Sequence, residues 1–235
     1  MSIESLDHAA AVSYLGTDDN EESWQRFDEY HRAALERLEA SGADFALMAS
    51  NTPHHRFDSI VRGVGIPVIN IFEAAAKESA RLGAHEILIL GTAVTMASPV
   101  LCAAFAKHGV TAAGLSNKAA GAMAASLIAE LQEGKVRGGA ERVARIVKLA
   151  LGRKAQTRPA VCLACTELPL AFGARKMAPS FESDGCGISI AQPCISRRRS
   201  NSRAATGSHL PAASRSARSG GSPARRILSC ALATS

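Results

Sequence analysis

Ala46-Leu47-Met48-Ala49-Ser50-Asn51-Thr52-Pro53 and Val161-Cys162-Leu163-Ala164-Cys165-Thr166-Glu167-Leu168-Pro169 share one layout. Each is an apolar run of strand length, then a small side chain bearing a nucleophilic atom, then polar groups, then proline. In an open α/β sheet, ligands bind in the crevice beyond the carboxyl ends of the strands. A third such turn, Gly91-Thr92-Ala93-Val94-Thr95-Met96, follows the apolar run His85–Leu90. Three turns of this kind predict that Ser50, Thr92 and Cys165 converge on one small molecule. The competing reading is three ordinary strand-to-helix turns, because Ser, Thr and Asn favour turns on their own account.

Working outward, amphipathic helices alternate with short apolar runs, the pattern of an α/β protein with a mostly parallel sheet. Asn20 to Ser41 reads as a helix with Trp24, Phe27, Tyr30, Ala34, Leu35 and Leu38 on one stripe, ended by Gly42. Strands are expected at Ala43–Ala49, Pro67–Ile71, His85–Leu90 and Val161–Ala164. Further helices are expected near Glu73–Leu82, Ser98–His108, Lys118–Glu133 and Ala140–Leu151.

The chain has 235 residues and a formal net charge of +6, but the charge is unevenly placed. Beyond Asp184 there is no Asp, Glu or Lys and there are eight Arg, which leaves the first 184 residues with 19 basic against 21 acidic side chains. A mildly acidic body argues against a nucleic-acid enzyme, which needs a basic face on the fold itself. The longest nearly apolar stretches, around Ile66–Ala76 and Ala97–Ala106, fall short of the ~18–20 residues of a membrane helix. The start, with Glu4 and Asp7 and no apolar core, does not read as a signal peptide. Cys102, Cys162 and Cys165 in the body form no disulfide framework and suggest reduced thiols, hence a cytoplasmic protein.

From Gly185 onward the chain is rich in Ser, Ala and Arg, the composition of a disordered tail. Back-translated with permitted codons and read one nucleotide out of step, Gly185–Ile195 can spell Val-Arg-Tyr-Leu-Asn-Ser-Ala-Ala-Leu-His-Ile. That hidden string is a strand, a cap and a helix start, so loss of the native reading frame near Gly185 is the expectation. Gene sequencing tests it.

Met48–His54, Ile89–Met96 and Cys165–Leu170 resemble the three signature turns of the aspartate/glutamate racemase superfamily. The resemblance covers about Ser2 to Asp184 and is most specific at Cys-Thr-Glu-Leu-Pro. It implies two pseudo-symmetric parallel-sheet α/β lobes with the active site between them. The implied organisation is a first lobe over 1–74 lacking its initial strand, a second lobe over 75–175, and a return segment with the Ser/Arg-rich tail over 176–235. The resemblance further implies a cofactor-independent isomerase, without metal or pyridoxal phosphate, acting on aspartate, glutamate or a related amino acid. Its partner is that small molecule, with no nucleic acid and no membrane, and it leaves room for a homodimer. Cys165 and Ser50 would be the catalytic pair, Ser50 standing where the family often has cysteine. Asn51, Thr52, Thr92 and Thr166 would bind substrate, and Glu167 and His54 would orient. The Gly-Ile-Ile-Gly-Gly type of opening that family members usually carry is absent.

The chemistry accounts for such turns. Racemisation removes a weakly acidic Cα proton and returns one to the opposite face, with the carbanion stabilised by preorganised dipoles. A thiol suits the task because its pKa is readily tuned. Blander roles stand beside these: Cys165 and Cys162 as packed core thiols, Glu167 as a helix cap, His54 as a solvated turn residue, Ser50 as a turn former. Two other functions stand as well. A single-thiol decarboxylase of malonate-type acids needs only one proton donor, and a chain missing elements could be an inactive remnant of the family.

Overall fold

The structure, a computed structural model, describes residues 2–15, 20–152, 160–177, 180–183, 186–190 and 229–233. Strand β1 (Ile3–Asp7) leads into α1 (His8–Tyr14), and α2 (Glu21–Ala40) follows. The Asn20 side chain accepts from Ser23 N at 2.7 Å to start α2, whose Phe27, Ala34, Leu35 and Leu38 are buried in a first core with Leu6, Ala46, Met48 and Ile60. Gly42 takes φ +83° where the chain leaves the helix, a conformation costly for any other residue. β2 (Ala46–Leu47) pairs in parallel with β3 (Val68–Ile69), and between them lie a 3₁₀ turn (Thr52–Arg56) and α3 (Phe57–Ile60). The expected strands Ala43–Ala49 and Pro67–Ile71 are thus shorter than their apolar runs. Only two residue pairs form the ladder, and Asn70 takes the backbone into a helix by accepting from Phe72 N at 2.9 Å.

That helix is α4 (Ile71–Arg81). After it come β4 (Glu86–Gly91), α5 (Ala93–Met96), α6 (Pro99–Ala106), β5 (Thr111–Ala113), α7 (Lys118–Gln132), α8 (Gly139–Leu151) and β6 (Ala160–Ala164). A 3₁₀ segment (Leu168–Met177), β7 (Ser180–Ser183), β8 (Cys186–Ile190) and β9 (Ser229–Ala233) complete the described chain. Five strands form one sheet in the order β5-β4-β6-β8-β7, parallel except for β7. Alternation along the strands sorts side chains to two faces. Leu88, Leu90, Val161, Leu163 and Cys165 pack with α7 and α8, while Ile87, Ile89, Cys162 and Ala164 pack with α4 and α6. The result is a two-lobed α/β protein whose second lobe has helices on both faces of its sheet.

Four details depart from the sequence reading. Residues Ile3–Asp7 form a strand ahead of the first helix, where the sequence reading expects none. What stands in place of a glycine turn is Asp7, which caps α1 by accepting from Ala9 N at 2.8 Å. Helix α4 runs through the expected division at 74/75, and its Phe72, Ala75 and Ala76 pack on the second lobe's sheet with Ile87 and Ile89. The expectation of a wholly disordered tail is corrected at two places: β8 pairs with β6, and β9 pairs with β1. The strand β5 was not expected, because its three small residues carry no apolar run. The eight Arg and most of the stretch behind the frame-shift expectation lie outside the described residues.

Candidate active site

The register of β4 against β6 sets the site. Gly91 pairs with Ala164, so the next residues, Thr92 and Cys165, leave adjacent strands side by side. Gly91 is required there: a Cβ would lie 2.7 Å from the Ala164 carbonyl oxygen, closer than real contacts allow. Thr92 caps α5, its Oγ accepting from Thr95 N at 3.3 Å and lying 3.0 Å from the Thr95 hydroxyl.

Cys165 is buried, and its Sγ donates to Glu167 Oε2 at 2.9 Å. The Thr166 hydroxyl donates to the same oxygen at 2.5 Å. Burial, reinforced by the Glu167 carboxylate, pushes the Cys165 thiol up to about 12. Forming the thiolate at pH 7 in this state costs on the order of 7 kcal/mol, so the resting sulfur holds its proton. Cys162 lies on the opposite face of β6, fully buried among Ile87, Ile89 and Leu101, away from Cys165.

The first lobe contributes the turn after β2. Ser50 and Thr52 are half-buried, Asn51 is buried, and the Asn51 Oδ1 has no hydrogen-bond partner among the described residues. A buried acceptor left open beside a cleft is costly unless a ligand donor meets it. His54 lies beneath this turn, fully buried, stacked on Phe57 at 5.6 Å, with Nε2 donating to the Met48 carbonyl at 3.2 Å. Desolvation, with smaller repulsion from His55 and His31, lowers its pKa to about 4, so it is neutral. Arg56 ties the turn to α2 by donating to Asp28 at 2.8 Å and Glu21 at 2.8 Å, and its guanidinium lies 5.5 Å from the centre of the Trp24 ring.

One cleft of about 970 Å³ opens between the lobes, lined among others by Ser50, Asn51, Thr52, Thr92, Cys165, Thr166 and Glu167. Seven of the eight residues singled out from sequence therefore meet. The eighth, His54, does not reach the cleft; it supports the Met48 carbonyl from behind. Its place in the core was invisible in sequence, where two adjacent histidines look solvated. Sequence reasoning also missed the wall formed by Ser5, Asp7 and His8, with Thr95 and Gln132. The signal available for that wall was Asp7 ahead of the Ala-rich run Ala9–Ala11, a helix cap signature.

The family model described as Asp/Glu/hydantoin racemase matches residues 8–191. Among solved structures, an aspartate racemase homologue from Pyrococcus horikoshii is 25% identical, with TM-score 0.63 over 81% of this chain and 80% of that one. Glutamate racemase from Campylobacter jejuni is 17% identical, with TM-score 0.60 over 99% of this chain and 82% of that one. An aspartate racemase from Picrophilus torridus is 15% identical, with TM-score 0.57 over 82% and 74%. Among the described residues no helix is long and apolar enough to cross a membrane.

Proposed function

The chain belongs to the Asp/Glu/hydantoin racemase family, a racemase and so an isomerase, and we propose that it inverts the Cα of aspartate, glutamate or a related amino acid through the Cys165 thiol. The observation that carries this reading is the Cys165–Glu167 hydrogen bond at the floor of a cleft also lined by Ser50, Asn51, Thr52 and Thr92. Asn51 Oδ1 suits a substrate N–H, and Thr52, Thr92 and Thr166 suit carboxylate oxygens.

The thiol must lose its proton before it can act as a base. Its pKa is high because it is buried and faces a carboxylate. A substrate ammonium group placed on Glu167 neutralises that charge and draws the thiol down towards a working range. The thiol proton passes to water in the cleft, and the resulting thiolate takes the Cα proton. The electron pair stays on the substrate as a carbanion, and water on the Ser50 side returns a proton to the opposite face. A serine hydroxyl is a weak acid and a weaker base near neutrality, so that second transfer is slow and water-assisted. The two enantiomers should therefore exchange their Cα protons with solvent at unequal rates. Deuterium uptake at Cα in D₂O, followed separately for L and D substrate, tests this. Equal uptake that persists in Cys165→Ser would overturn it.

A second reading has one specific observation in its favour. The only thiol on the described cleft wall is a protonated one, and decarboxylation of a malonate-type acid needs a single proton donor. Release of carbon dioxide from an arylmalonate, without Cα exchange of amino acids, would favour it.

A further inference from the structure

Strand β9 sits in an unusual place for a segment so far along the chain. It runs parallel to β1 over five residue pairs, from Ile3 beside Ser229 to Asp7 beside Ala233. It also lies against β2 and α2. β1 has no other sheet partner among the described residues, and the same holds for the pair β2 and β3. The first lobe therefore offers a slot between β1 and β2, and an extended segment of this chain fills it by main-chain pairing, the mode in which peptides add to open sheet edges. The sequence offers a reason: Ile227-Leu228-Ser229-Cys230-Ala231-Leu232-Ala233 is the most apolar run in the Ser- and Arg-rich tail.

The slot matters to the site because of what β1 carries. Its carboxyl end supplies Ser5, Leu6 and Asp7 to the cleft, Asp7 caps the helix that presents His8, and Leu6 is buried in the first core. A five-residue strand with one buried apolar side chain holds its place poorly without a ladder. The geometry points to Ser229–Ala233 as a positioning element of the active site: a strand-acceptor slot in the first lobe takes this segment of the same chain, and its occupancy fixes the Ser5–Ala9 wall. This inference stands apart from the thiol reading, because its tests need no turnover.

The first test uses the full chain with Glu4→Cys, since Glu4 is the register partner of Cys230. Mild oxidation or a short dithiol cross-linker should join residues 4 and 230, identified by peptide mass mapping, within one chain and independently of protein concentration. Ser5→Cys should join Cys230 far less, because successive strand residues face opposite sides. No cross-link at position 4, or one formed only between two copies, would overturn the proposal. The second test is Ala231→Pro in the full chain, which removes a ladder N–H. Amide exchange of residues 3–7 should quicken on the order of 100-fold while β4 and β6 keep their protection. A peptide of residues 227–235 added in trans should restore it. Unchanged exchange at residues 3–7 would overturn the proposal, and the cross-link decides the matter if the proline variant fails to fold.

Discussion

On the second-lobe side of the cleft, Thr92 and Cys165 leave neighbouring strands of a five-stranded sheet, locked by the pairing of Gly91 with Ala164. On the first-lobe side, Ser50 and Asp7 leave two separate two-stranded ladders. What steadies the Ser50 part of that wall is side chains: His54 beneath the Met48 carbonyl and Arg56 clamped to Asp28 and Glu21. The Thr92 and Cys165 side of the site is positioned by backbone register and the Ser50 turn facing it by buried polar contacts. The first should be damaged by added volume, the second by protons.

The sharpest break in the comparison is at Cys165. Cys165→Ser keeps the β6 register and removes the thiol, so Cα exchange should fall about 10³-fold for both enantiomers, while binding of an unreactive amino-acid analogue changes little. Exchange followed by proton NMR, with calorimetric titration of the analogue, checks both halves of this expectation.

Next in size is the acid response of the first lobe. His54 has an ordinary pKa of 6.5 in the unfolded chain and about 4 in the folded one. Between those values the unfolded state binds the extra proton, so stability is complete above pH 6.5 and declines as pH falls towards 4. The loss reaches about 3 kcal/mol from this group alone. The buried His31 and half-buried His55, both lowered mainly by desolvation, act in the same direction. Urea midpoints measured from pH 7.5 to 4 should show this slope, and His54→Gln should flatten it.

Smaller again is Gly91→Ala. Its methyl group would press on the Ala164 carbonyl, part β4 from β6 and cost about 2 kcal/mol, with no dependence on pH over that range. A pH-dependent loss would show that the second lobe relies on more than register. The smallest effect sharpens the contrast between the walls. Ser50→Cys supplies a second thiol and should raise exchange of the slower enantiomer about tenfold, leaving the faster one within a factor of two. Separate progress curves for L and D substrate provide the readout.

The same contrast explains what could be read from sequence. Strands β4 and β6 and helices α2, α7 and α8 were legible because continuous apolar runs and helical stripes are local features. The Cys165-Thr166-Glu167 turn was legible because its chemistry lies in consecutive residues. β1 was not, since only Leu6 of its five residues is buried. Nor was β9, whose pairing depends on a partner at the other end of the chain. His54 was misplaced for a related reason: burial of a polar ring is decided by Phe57 and Phe72 packing around it, which no short window reveals.

The Arg56 clamp has an optical corollary. Trp24 is the one tryptophan in the sequence, and it is held between the Phe27 ring at 5.5 Å and the Arg56 guanidinium at 5.5 Å. Intrinsic emission excited at the red edge of the indole band therefore reports on the first lobe alone. A denaturation curve recorded by that emission follows the side-chain-supported half, while far-ultraviolet circular dichroism follows both. Superposition of the two curves means that the lobes melt as one cooperative unit, and separation of the curves gives the order in which they part.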